Sequence, residues 1–113
     1  MTLSDKRQIF TRNLANLITW GFAQGYGLAL DQVKRTQAEA NANAESGVGI
    51  VHSLHIIGLA ADILLYHPDY KTGSTDYKPL GDYWKTLDVL NRWGGDFSKP
   101  DGNHFSMEHN GVK

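Results

Sequence analysis

Apolar residues recur at helical spacing in the first part of the chain. The spacing predicts a helix over residues 4–24, with Thr2 or Ser4 as its N-cap, Asp5 in its first turn and Gly25 at its end. The positions that define its apolar stripe are Phe10, Leu14, Leu17 and Gly21.

Alternating and clustered apolar residues predict strands further along, separated by segments rich in turn-forming residues. The elements predicted after the first helix are a strand over 26–36, a short helix over 37–45, a strand over 59–66, a helix over 80–91 and a strand over 104–108. Helices and strands in this order indicate a small α+β fold, with helices packed around one antiparallel sheet.

The composition narrows the classes of function. The 113 residues contain no cysteine, so disulfides and thiolate metal sites are excluded, and a metal would need histidine and carboxylate ligands. A formal net charge of -1 argues against a nucleic-acid partner. The sequence opens without the pattern of a signal peptide and has no apolar stretch of membrane-spanning length. We therefore expect a single domain over 1–113 with no membrane insertion and no separate binding domain, and a monomer.

Asp62 is the charged residue least expected at its position, because it interrupts an apolar strand. A carboxylate there is costly unless it is paired, hydrogen-bonded or bound to a metal. In an extended strand Ala60 shares the face of Asp62 and leaves space beside it. Gly58 permits a sharp turn, so that His55 can fold back to meet the carboxylate.

A second candidate segment lies near the end of the chain, where Asp101 stands in a turn and His104 and Ser106 share one face of the following strand. Together with His55 and Asp62, His104 would complete a plausible catalytic zinc set, since three protein ligands leave a fourth position open. Asp101 could then accept a proton from water.

The residues alone leave alternatives open at these positions. His52 could replace His55 as a ligand, and each of these groups could be an ordinary hydrogen-bonded polar residue with no metal. The remaining histidines, His67 and His109, are expected to be solvated.

Three motifs, in the right order, resemble the zinc D-Ala-D-Ala carboxypeptidase and L-alanyl-D-glutamate endopeptidase family, with short phage endolysins as the closest members. The motifs are Ser53-Leu54-His55-Ile56-Ile57-Gly58-Leu59-Ala60-Ala61-Asp62, Trp93-Gly94-Gly95-Asp96-Phe97 and Asp101-Gly102-Asn103-His104-Phe105. The resemblance runs from about Tyr26 to the C-terminus. It implies an α+β peptidase core with one zinc ion on one face of an antiparallel sheet.

Carried onto this sequence, the resemblance makes His55, Asp62 and His104 the zinc ligands and Asp101 the general base. It places Arg35 at the scissile carbonyl or at a substrate carboxylate. Ser53 would line the same cleft, and Trp93 would shape the turn and also wall the cleft.

The substrate implied is the peptidoglycan stem peptide, cut between L-Ala and D-Glu, with removal of a terminal D-Ala as the alternative. An inert metal-binding module or a phage structural component is the alternative of another class. A phage origin would imply synthesis in a host cytoplasm and release to the wall through a holin.

Overall fold

The computed structural model describes residues 1–32 and 54–113, and the predicted first helix is confirmed in it. Helix α1 spans Leu3–Ala23. Thr2 caps it, because its hydroxyl accepts from the backbone N–H of Asp5 at 3.1 Å while the Asp5 carboxylate accepts from the Thr2 N–H at 3.0 Å. Gly25, at φ +91°, turns the chain away from the helix axis.

Five antiparallel strands among the described residues form one sheet in the order β1-β2-β5-β4, with β3 also paired to β2. Their bounds are Gly27–Gln32 for β1, Ala60–Tyr66 for β2, Tyr70–Lys71 for β3, Asn91–Trp93 for β4 and His104–Met107 for β5. The predicted α+β class is therefore confirmed.

One face of the sheet packs against α1 and a second helix, α2, which spans Lys78–Leu87. The Trp84 ring lies at the centre of this contact, edge-on to Phe10 of α1 and to Phe105 of β5. Its indole N–H donates to the carbonyls of Arg92 and Ser106. Apolar side chains that point to this face are almost completely buried: Ala61, Ile63, Leu65, Phe105 and Met107.

The predicted bounds of the second helix were wrong at its C-terminal end. The prediction ran over 80–91, whereas α2 ends at Leu87 and Asp88 is extended. The Asp88 carboxylate accepts from the Leu90 N–H at 2.9 Å and its carbonyl accepts from the Asn91 N–H at 3.1 Å, so a turn replaces the last helical residues. The residues after this turn form β4, at the edge of the described sheet, although Asn91 was predicted as helical and Trp93 as part of a turn.

Two other differences concern short or undescribed segments. The turn-rich segment between the predicted strand over 59–66 and the predicted helix over 80–91 contains β3 and a 3-10 helix at Ser74–Tyr77 that leads into α2. The predicted strand over 26–36 is observed as β1 up to Gln32. Its remainder and the predicted helix over 37–45 lie outside the described residues.

Gly81 allows α2 to approach the sheet, because a Cβ at this position would overlap the Trp93 ring. We expect Gly81→Ala to lower the free energy of unfolding by about 2 kcal/mol, since neither the helix nor the ring can move without disturbing the core. Thr86→Ala, at an exposed position of the same helix, is the control and should change stability by less than ~0.5 kcal/mol. Urea unfolding measures both, and equal stability of the two variants would contradict this packing.

Candidate metal centre

The pairing of β2 with β5 brings Asp62 and His104 together. The two residues are direct partners across the antiparallel ladder, and Ala60 is the partner of Ser106 two positions away. Opposite residues in such a ladder project from the same face. Asp62 and His104 therefore lie on the same face, opposite to the helices, and His104 shares this face with Ser106, as predicted.

His55 reaches the same point through a tight turn before β2. Leu54 is buried, and its carbonyl accepts from the Leu59 N–H at 3.0 Å. Gly58 takes φ +74° within this turn, a conformation that favours glycine, and the Arg7 guanidinium packs against its Cα. The turn returns His55 over the start of β2, where its side chain is 4% exposed.

The three side chains converge on one carboxylate oxygen. Asp62 Oδ1 lies 3.4 Å from His55 Nε2 and 3.6 Å from His104 Nδ1. Burial by itself would raise the pKa of Asp62, but the interactions with His104 and His55 outweigh it and lower this pKa to about 2. The carboxylate is thus ionised at neutral pH although its side chain is only 17% exposed.

This donor set fits a metal ion. One ligand atom from each of His55, Asp62 and His104 lies within 4.8 Å of the other two, so the three could hold a metal ion together. Asp62 Oδ1 and His104 Nε2 are buried and have no hydrogen-bond partner of normal geometry among the described residues. Buried polar atoms left in this way need an explanation, and a bound ion is one that suits a carboxylate oxygen and an imidazole nitrogen. Two imidazole nitrogens and a carboxylate oxygen suit zinc, which the site would bind with three protein ligands.

Asp101 lies beside this cluster in the loop before β5. Its N–H donates to the Gly94 carbonyl at 2.9 Å, and its own carbonyl accepts from the His104 N–H at 3.0 Å. Burial raises the pKa of the Asp101 carboxyl above 3.8; attraction to His104 opposes this shift and repulsion from Asp62 adds to it. Asp101 therefore interacts electrostatically with the cluster although the residue itself is exposed.

Trp93 stands on the other face of the sheet. It is the ladder partner of Phe105, it is 5% exposed, and it packs on α2. The structure thus does not bring its ring to the metal cluster. Its indole N–H donates to the Gly102 carbonyl at 2.7 Å, while the Gly102 N–H donates to Ser74 Oγ at 3.0 Å. These bonds fix the loop that carries Asp101.

Phe97 borders the cluster and had no predicted role. Its ring centroid is 5.5 Å from that of His104, and the side chain is half-buried. Phe97 belongs to the Trp93–Phe97 motif, but neither its spacing nor its type indicated contact with His104, which lies further along the chain. Only the fold of this loop brings the two rings together.

The remaining site candidates and the two histidines that were expected to be solvated can be described briefly. Arg35, Ser53 and His52 lie outside the described residues. His67 is exposed, as expected, and contacts the Tyr26 ring. His109 is half-buried rather than solvated, because its Nδ1 accepts a hydrogen bond from Lys6 Nζ at 3.0 Å.

Fold and site together define a small α+β protein with a two-histidine, one-aspartate cluster on the face of its sheet opposite to α1 and α2. Residues 46–107, more than half of the chain, match the model of an M15 peptidase family described as D-alanyl-D-alanine carboxypeptidase. The chain belongs to this family of peptidases.

A solved structure supports the same fold. The chain is similar to the crystal structure of the L-Ala D-Glu endopeptidase ChiX of Serratia marcescens, with a TM-score of 0.75 and 16% sequence identity over 88% of this chain and 77% of that one. No match was found among proteins of curated function. Among the described residues, the helices are too short or too polar to cross a membrane.

The two carboxyl groups of the site should titrate on opposite sides of 3.8 in the metal-free protein. We expect a pKa of about 2 for Asp62 and a pKa above 3.8 for Asp101, which carboxyl NMR would measure, with Asp62→Asn and Asp101→Asn to assign the signals. The lowered pKa of Asp62 stabilises the fold above pH 3.8 by about 2 kcal/mol, and this contribution is lost as the pH falls through about 2. The raised pKa of Asp101 acts in the opposite sense, since it favours the protonated fold at low pH. A pKa of Asp62 at or above 3.8 would contradict the geometry of the cluster.

Proposed function

We propose that this M15 peptidase is a zinc enzyme that hydrolyses an amide bond in the peptidoglycan stem peptide, between L-Ala and D-Glu. The observation that carries the proposal is the convergence of His55, Asp62 and His104 on one face of the sheet, with Asp101 beside them. A purely structural metal site would need no carboxylate next to its ligands.

His55, Asp62 and His104 would hold the zinc ion. A bound zinc ion supplies Lewis acidity at the scissile carbonyl and lowers the pKa of water to ~7. The protein prepares this site by keeping Asp62 ionised and both imidazoles nearly buried. Their positions are fixed by the ladder between β2 and β5 and by the turn at Gly58, so little ordering is left to occur on binding.

Asp101 would act as the general base and then as the general acid. Its carboxylate takes a proton from the attacking water and returns it to the leaving amine. The raised pKa of Asp101 makes it a better proton acceptor than a fully solvated aspartate. Because Gly94, Trp93 and Ser74 hold the loop, the carboxylate would act at the cluster without a large movement of the backbone.

Arg35 and Ser53 keep the roles that the resemblance implies. The planar guanidinium of Arg35 suits either a carboxylate of the stem peptide or the developing oxyanion. Ser53 would line the cleft next to His55. Trp93 would act on the substrate only indirectly, through the Gly102 carbonyl that its indole N–H holds.

A second candidate is removal of the terminal D-Ala, which the description of the matched family favours. The similarity to the Serratia marcescens structure, whose title names an L-Ala D-Glu endopeptidase, favours the internal bond instead. Mass analysis of the products distinguishes the two, because free D-Ala is released only by the carboxypeptidase.

Variants of the site should separate metal binding from catalysis. We expect the wild type to bind one zinc ion and to cut purified peptidoglycan. Asp101→Asn should keep the zinc and lose at least about 100-fold in kcat/KM. His104→Ala should lose both the zinc and the activity. Elemental analysis of the dialysed protein measures zinc, and the release of new amino termini measures cleavage.

The histidine outside the cluster provides the matched control. His109→Gln should keep both the zinc and the activity, since His109 contacts Lys6 and lies outside the cluster. Wild type without stoichiometric zinc would overturn the metal site. Wild type with zinc but without cleavage would identify the protein as an inert metal-binding module.

A further inference from the structure

The face of β2 that carries Asp62 continues past the metal cluster toward the end of the strand. Side chains alternate along a strand, so Leu64 and Tyr66 project from the same face as Asp62. The irregularity in the β1–β2 pairing lies in β1, between Leu30 and Gln32, and leaves the alternation of β2 intact. At ~3.3 Å per residue, Tyr66 stands about 13 Å from Asp62 along the strand.

Two tyrosines form an exposed pair at this end of the face. Tyr66 is the ladder partner of Tyr70, and their ring centroids lie 5.4 Å apart with the rings inclined by 43°. The relative exposure of Tyr66 is 37% and that of Tyr70 is 53%. On the other side of Tyr66 the ladder partner is Gly27, so no side chain from β1 covers its flank. We call Tyr66 and Tyr70 the tyrosine platform.

The surface between the platform and the cluster is aliphatic. Leu64 is half-buried and its ladder partner Ala29 is exposed. Beside Tyr66 and Leu64, β1 thus contributes only Gly27 and Ala29 to this surface, neither of which is bulky. The platform and the candidate metal centre are two parts of one continuous face.

We propose that the tyrosine platform binds the glycan strand of peptidoglycan, a polymer of N-acetylated sugars, while the attached peptide reaches the cluster. This inference rests on the proposed function, because a stem peptide that enters the cluster brings its covalently linked glycan with it. The C–H face of a pyranose ring packs on the electron-rich face of an aromatic ring, and the phenol hydroxyl groups can hydrogen-bond the sugar substituents.

The size of the platform favours a narrow polymer over a second protein. Two tyrosine side chains bury at most about 500 Å² even when they are fully covered. A stable protein interface needs roughly 800 Å² on each partner. A chain of sugars covers a strip only one ring wide, and the inclination of the two tyrosine rings suits neighbouring sugars that are turned relative to each other.

The test compares glycan binding with cleavage. Peptide-free glycan strands are titrated into the wild type, into the double variant Tyr66→Ala/Tyr70→Ala and into Tyr66→Phe/Tyr70→Phe, with calorimetry as the measurement. We expect the alanine pair to weaken binding by about fivefold or more and the phenylalanine pair to retain most of it, because the rings supply the main contact. Val89→Ala removes an exposed side chain on the connection from α2 to β4 and is the control, with wild-type binding expected.

A kinetic measurement uses the same variants on glycan-linked and free stem peptides. The ratio of the two kcat/KM values should fall by about fivefold in the alanine pair, mainly through KM for the glycan-linked substrate, and should stay at its wild-type value in Val89→Ala. Circular dichroism confirms that each variant is folded.

The outcomes separate the two proposals. If wild type cleaves neither substrate, the proposed function fails and the titration still decides the glycan site. Wild type that does not bind glycan strands, or an alanine pair that binds them as tightly as wild type, would overturn the platform. An equal loss of cleavage on both substrates would also overturn it, since the tyrosines would then act on the peptide.

Discussion

The ladder between β2 and β5 is the constraint on which both the core and the site depend. It places Asp62 opposite His104 on one face, and it places Ala61 opposite Phe105 on the other. A shift of register by one residue would turn the carboxylate and the imidazole toward Trp84 and expose the apolar residues. The packing of α1 and α2 on the apolar face therefore selects the register that assembles the ligands. In this protein, core stability and site geometry are consequences of the same hydrogen bonds.

Burial of the site costs free energy, and the attraction between the Asp62 carboxylate and the two histidines outweighs that cost. A nearly buried carboxylate with two imidazoles loses hydration, and its oxygen finds no hydrogen bond of normal geometry in return. The cluster is held by parts that cannot easily relax: the turn at Gly58, the packed Gly94 and the loop fixed by Trp93. Gly94 is needed because a Cβ there would overlap the Asp101 carbonyl. A rigid frame of this kind keeps the ligands together before any ligand binds.

The sequence predicted the cluster because its signals are local. Asp62 interrupts an apolar strand, His104 follows a turn, and Gly58 stands where the chain must reverse. The undetected elements depend on contacts between distant segments. Asn91–Trp93 form β4 only because they pair with the edge of β5. The two residues of β3 are too few to show the alternation of apolar and polar positions that is typical of a strand. Phe97 meets His104 for the same reason, since only the completed loop brings the rings together.

The two faces of β2 have different roles: one packs in the core and the other carries the candidate site. Ile63 and Leu65 point into the core, whereas Asp62, Leu64 and Tyr66 present a carboxylate, an aliphatic surface and an aromatic ring along one line. If the proposed activity and the proposed glycan site are both correct, the spacing of this line relates the bond that is cut to the position of the glycan. If the bond after L-Ala is cut, the sugar that carries the peptide lies next to the cluster and the tyrosines contact its neighbour in the strand. If a terminal D-Ala is removed, about four extended residues separate the cluster from the sugar, which matches the roughly 13 Å between Asp62 and Tyr66. The identity of the cleaved bond therefore determines which sugar of the strand the tyrosine platform would meet.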